Sequence, residues 1–127
     1  MPEPARPTDA ELEILNVLWD RGPATVRDVH EEISRTKPAQ YTTVLKMLQI
    51  MAAKGLVHRD EDHRAHVYQA AKPREWTQRQ IAGDVLKRAF GGSARSLLMG
   101  ALSARRTSRA ELAGIRKLLD EYEKESK

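Results

Sequence analysis

Gln40-Tyr41-Thr42-Thr43, with Lys46 one helical turn on, is the segment of this 127-residue chain best equipped for directional contacts. A threonine hydroxyl donates and accepts, its methyl group can meet a thymine methyl, and a glutamine amide can pair with adenine. Gln40 can equally act as a helix cap. Lys46 and Lys54 are point charges suited to phosphate oxygens, a contact that positions a protein without reading sequence. These residues lie in a stretch from Ile33 to Arg59 that contains no carboxylate and carries a net charge of +5. A helix that lies between phosphates should carry no carboxylates, because each would repel the backbone. Arg59, Arg64 and His66 follow within reach of a neighbouring phosphate or minor groove, although Asp60, Glu61 and Asp62 stand beside them. Taken alone, the charge pattern fits a solvated face equally well.

Other chemistries find little support. The chain has no cysteine, so it has no disulfide framework, thiolate nucleophile, iron–sulfur cluster or cysteine-based zinc site. It has no P-loop, Gly-rich dinucleotide turn or nucleophile elbow, so an enzyme is not expected. The four histidines are His30, His58, His63 and His66. His63-x-x-His66 falls in a turn and hairpin rather than on one helix face, and reads as exposed polar residues. No metal or cofactor is expected. No apolar run approaches the roughly 18 residues of a membrane span, and Met1–Glu13 has no apolar signal region. The chain is expected to be cytoplasmic, with no membrane insertion.

The overall charge of +4 hides a strong segregation. Residues 1–32 carry −5, residues 33–59 carry +5, residues 60–72 carry −1 and residues 73–127 carry +5. A second acid-free run lies between Asp84 and Glu111.

The elements that must position these side chains are well punctuated. Thr8-Asp9-Ala10-Glu11 is a capping box, followed at helical spacing by Leu12, Leu15, Leu18 and Trp19 and ended by Gly22-Pro23. Thr25 caps a second helix with Val26, Val29 and Ile33 on its inner face, broken at Lys37-Pro38. A third helix spans about Ala39 to Lys54, with Val44, Leu48 and Met51 inward and joined by Leu45, and Gly55 as its left-handed stop. Leu56–Arg59 and Ala65–Gln69 then read as two short strands around a polar turn, a hairpin that must pack on the helices.

Lys72-Pro73 marks a boundary, so the expected domains are 1–72 and 73–127. Beyond it, Trp76, Ile81, Val85, Leu86 and Phe90 suggest one long helix ended by Gly91-Gly92. Ser93 caps a short helix with Leu97, Leu98 and Leu102. Ser108-Arg109-Ala110-Glu111 opens a last helix whose Leu112, Ile115, Leu119 and Tyr122 form a coiled-coil-like seam. That seam has to be covered, by the two preceding helices or by a second copy. A piece of about 50 residues is small for an independent core, which favours the second copy.

The expected fold is mainly α: three helices and a β-hairpin wing, the order of a winged helix-turn-helix DNA-binding domain, followed by a helical dimerisation domain. In such folds the third helix enters the major groove. The rival is a winged-helix protein-interaction module that reads no operator directly.

Several of these segments resemble the penicillinase-repressor (BlaI/MecI/CopY) family of transcriptional regulators. They are Thr8–Leu15 with Leu18-Trp19, Tyr41-Thr42-Thr43-Val44-Leu45, Lys54-Gly55-Leu56-Val57, Arg64-Ala65-His66-Val67-Tyr68, and Gly91-Gly92-Ser93 with Ser96-Leu97-Leu98. The resemblance runs in order over nearly the whole chain. It implies a homodimeric repressor that binds double-stranded operator DNA with palindromic half-sites and controls β-lactam resistance genes. It also implies inactivation by cleavage in the C-terminal region, by a membrane-bound metalloprotease sensor. The scissile bond would fall near Gly100-Ala101, where the best-known members have Asn-Phe. The family's copper-responsive branch binds metal through C-terminal cysteines, which this chain lacks.

Overall fold

The computed structural model describes residues 6–62 and 64–126. Helix α1 (Asp9–Arg21) starts with both halves of the capping box formed: the Thr8 hydroxyl accepts from the Glu11 N–H, and the Glu11 carboxylate accepts from the Thr8 N–H. Helix α2 (Val26–Ser34) opens with a second box, built by Thr25 and Asp28. The Thr25 N–H, aided by the Thr25 hydroxyl and Arg21, holds the Asp28 carboxyl below its ordinary pKa against the opposing effect of desolvation. Helix α3 (Tyr41–Lys54) ends at Gly55, whose φ of 82° and ψ of 14° are left-handed, a conformation that glycine adopts without a Cβ penalty.

Strand β1 (Ala24–Thr25) was not expected from the sequence. It adds an edge to the hairpin of β2 (Val57–Asp60) and β3 (Val67–Ala70), giving an antiparallel sheet in the order β1-β3-β2. The register pairs Thr25 with Val67 and Arg59 with Tyr68. Both hairpin strands start later than the sequence suggested, at Val57 and Val67, so Ala65 and His66 belong to the connecting turn.

The core of this unit collects one face from each helix and the sheet. Ile14, Leu15 and Leu18 from α1 meet Val26, Val29 and Ile33 from α2, Val44, Leu48 and Met51 from α3, and Val57 and Tyr68 from the sheet. Leu12 and Trp19, expected on the inner face of α1, are half-buried at its margin, and Ile14 takes the deep position.

Helix α4 (Arg74–Ala89) begins directly after Lys72-Pro73, and its first turn is fastened to α1. The Trp19 indole N–H donates to the Lys72 carbonyl at 2.9 Å, the Arg74 guanidinium lies 5.5 Å over the Trp19 ring, and Arg74 pairs with Asp20. The chain divides into two compact units after Ala82, within α4. The second unit holds the end of α4, then α5 (Ala94–Ala104), capped by Ser93, and α6 (Arg109–Glu125), capped by Ser108. Gly91 and Gly92, with φ of 56° and 83°, make the turn from α4 to α5. The architecture is therefore mainly helical, a winged helix followed by a helical unit.

Candidate nucleic-acid interface

Helix α3 is divided lengthwise by burial. Val44, Leu48 and Met51 point into the core, while Tyr41, Thr42, Thr43 and Lys46 are exposed, Tyr41 to 46%. Thr43 and Lys46 are three residues apart, and Thr42 and Lys46 four, so all three share a helical face. No carboxylate occurs anywhere on the helix. Gln40 occupies the N-cap position, but its side chain makes no capping bond. Its amide is left exposed at the helix start, beside the two threonines.

Lys54, expected among the phosphate contacts, is engaged within the fold. Its ammonium donates to both oxygens of Glu11, at 3.1 and 2.9 Å. Glu11 is 4% exposed. Burial raises the pKa of this carboxyl, and the bonds from Lys54 and the Thr8 N–H outweigh it, so the net shift is downward. A buried carboxylate requires such a partner. The sequence pattern placed Lys54 among phosphate contacts because its partner lies 43 residues away, on another helix.

The wing offers three of the expected side chains. Arg59 is on β2, and Arg64 and His66 are exposed in the turn before β3. The Tyr68 hydroxyl, across the strand pair, and the Glu61 carboxylate both raise the Arg59 pKa. Glu61 also forms an ion pair with Arg59, so part of the wing's positive charge is already matched. His63 lies outside the described residues. Among the described residues no group of three or more metal-ligating side chains occurs.

Carboxylates gather elsewhere in this unit. A groove of about 650 Å³ between α1 and the end of α2 is lined by Glu13, Asp20 and Glu32 among others, and by no residue of α3 or the wing. The acid-free face of α3 and this groove, which Arg21 also lines, are thus formed by different elements.

Residues 7–121 match the family model described as Penicillinase repressor. The chain belongs to the penicillinase-repressor family. It is 38% identical over 88 residues to a Transcriptional regulator BlaI of Mycobacterium tuberculosis, a match that covers 68% of this chain and 64%, less than two thirds, of that protein. It is 24% identical over 120 residues to the Penicillinase repressor of Bacillus licheniformis, covering 94% of each. Among solved structures, it is similar to the solution structure of Bacillus licheniformis BlaI in monomeric form in complex with the blaP half-operator. That similarity has a TM-score of 0.51 at 27% identity and covers 59% of this chain and 92% of the other.

For this family member, the residues expected at a dimer contact all lie in the second unit. None of the residues of α5 or α6 is buried. Leu97, Leu98, Leu102, Leu112 and Ile115 are half-buried, whereas Leu119 and Tyr122 are exposed to 54% and 62%. Met99 on α5 and Leu118 on α6 are also exposed and were not singled out in the sequence; Leu118 falls off the α6 seam of Leu112, Ile115, Leu119 and Tyr122. Gly100-Ala101 lies inside α5, at the start of its last turn. A Cβ at Gly100 would come within 3.3 Å of the Phe90 ring, so this helix approaches the end of α4 closely there.

One contact at the start of α3 carried no sequence signal. His30, half-buried on α2, places Nε2 2.8 Å from the Ala39 carbonyl oxygen and packs edge-on against Tyr41, with ring centroids 5.7 Å apart.

Proposed function

We propose that this chain is a sequence-specific, DNA-binding transcriptional repressor. The observation that carries the reading is the exposed, acid-free face of α3, which presents Gln40, Tyr41, Thr42 and Thr43 at its start and Lys46 one turn later. Gln40 and the threonines read base edges, while Lys46 meets phosphate. Arg59, Arg64 and His66 on the wing add contacts to the neighbouring backbone or minor groove. Lys54 acts inside the fold. The likeness to the BlaI half-operator complex supports this reading, since that complex pairs the same kind of domain with DNA.

The protein acts as a homodimer through Leu97, Leu98, Leu102, Leu112, Ile115, Leu119 and Tyr122. An apolar helical face without a buried residue is completed by a second copy. Two-fold symmetry in the protein then requires a palindromic operator. The domain boundary in this reading lies at Lys72-Pro73, with the repressor's DNA-binding part before it and the dimerising part after it. The regulated genes are of the β-lactam resistance type, and relief of repression comes from a membrane-bound protease that cuts at Gly100-Ala101. Proteolysis concentrates at exposed, mobile points, so that bond is cut only after α5 unwinds locally.

Selection of bound duplexes from a random pool, followed by a salt titration on the winner and on a shuffled duplex, tests the proposal. A palindromic winner is expected, with affinity falling steeply with salt as about six to ten phosphate contacts predict. Failure to enrich any sequence at any salt would leave the winged helix as a protein-interaction module.

A further inference from the structure

Four helices in this chain, α1, α2, α5 and α6, begin with a Thr or Ser whose hydroxyl accepts from the third residue's N–H. Helix α3 does not: Gln40 stands at its N-cap with no side-chain capping bond. The chain reaches Gln40 through Lys37-Pro38-Ala39, where the proline contributes no N–H. The start of α3 therefore lacks the local device that sets these four helices.

His30 takes its place from outside the segment. Its Nε2 is 2.8 Å from the Ala39 carbonyl, the residue immediately before the N-cap. A carbonyl only accepts, so Nε2 carries the hydrogen. The same ring meets Tyr41, the residue immediately after the N-cap, edge-on at an interplanar angle of 76°. His30 thus grips the chain on both sides of Gln40. Its own position is set by α2, whose neighbouring Val29 and Ile33 are buried in the core.

We propose that His30 is a positioning residue for sequence discrimination, in which its ring fixes where Gln40, Tyr41, Thr42 and Thr43 stand relative to the core of the winged helix. The inference rests on the reading of α3 as the DNA-contacting helix. Base-edge hydrogen bonds tolerate little displacement, whereas a lysine on a flexible stem follows its phosphate. Loss of the His30 grip therefore lowers discrimination and leaves non-specific binding in place.

The test compares the full chain with His30→Gln, which keeps an N–H donor near Nε2, and with His30→Leu, which keeps bulk and removes the donor. The first readout is the ratio of affinities for the wild type's selected duplex and a shuffled duplex at one salt concentration. The second is amide exchange in the DNA-free protein at Thr43 and Val44, whose N–H groups both donate to the Gln40 carbonyl. His30→Leu is expected to lower the ratio about three- to tenfold, the worth of one hydrogen bond. It should also speed exchange at Thr43 and Val44 but not in the middle of α1. His30→Gln should restore both. Unchanged discrimination in His30→Leu, absence of rescue by His30→Gln, or equal acceleration of exchange in α1 would overturn the proposal, the last by making His30 a general stabiliser. If the wild type selects no duplex, the DNA reading fails by itself. The exchange comparison then still decides whether His30 holds the start of α3.

Discussion

The Lys54 ammonium sits 2.9 Å from one oxygen of Glu11 and 3.1 Å from the other, joining the last residue of α3 to the first turn of α1. The same Glu11 carboxylate closes the capping box on Thr8. One carboxylate thus serves a helix start and an interhelix tie, with the end of α3 joined to α1 at Lys54 and its start in contact with His30.

Replacement of Lys54 by Met leaves the Glu11 charge buried and short of its partner. A loss of about 1–3 kcal/mol in urea unfolding is expected, toward the lower end because Lys54 itself is a third exposed. Non-specific DNA affinity should change less than for an exposed lysine. A variant that unfolds like the parent but loses a phosphate contact, seen as a shallower salt slope, would return Lys54 to the interface.

The Glu11 pKa is lowered in the folded protein. A group with a depressed folded pKa adds stability that is complete above the ordinary carboxylate pKa and lost as pH falls through the lower folded value. Glu11→Gln is therefore expected to flatten the acid side of the stability profile, with little change in its slope near neutrality. Parallel acid limbs for the two proteins in urea melts at stepped pH would refute the assignment.

Thr43→Ala and Lys46→Ala separate reading from holding. Thr43→Ala should cost about 1–3 kcal/mol of discrimination at one base position, while Lys46→Ala weakens all duplexes alike and lowers the salt slope by about one. Identical effects from both variants in binding titrations would remove this division of labour.

The elements of the first unit were legible because their signals are local. Capping boxes, breakers such as Gly22-Pro23, and the spacing of Val44, Leu48 and Met51 act within a few residues and predict α1, α2 and α3 closely. Strand β1 was not legible, because two residues carry no period and Ala24-Thr25 become a strand only by pairing with β3. The fate of Lys54 and the hold of His30 on Ala39 depend on partners 43 and nine residues away, which no local pattern encodes. The exposed residues at the start of α3 were legible as a group, since the absence of carboxylates is a property of composition.

The seam on α6 gives a fourth outcome. Leu119→Asp places a charge on the exposed apolar face beside Tyr122. In the proposed homodimer this charge is expected to cause dissociation at concentrations where the parent remains paired, seen by sedimentation, with affinity for the proposed full palindrome falling toward that for one half-site. Since Leu119 is exposed within the single chain, the melting of the first unit should be unaffected. A variant that sediments as the parent does would place the contact elsewhere.

Thr25 belongs to two structures at once: its backbone pairs with Val67 in the sheet, and its hydroxyl caps α2 through the Asp28 N–H. Detachment of the β1 edge from the wing therefore also disturbs the cap of α2. The hairpin and α2 thus share Thr25, which couples their local opening. A residue inserted between Thr25 and Asp28 would have to break one of these two registers to keep the other, so the junction of β1 and α2 tolerates a change of length poorly.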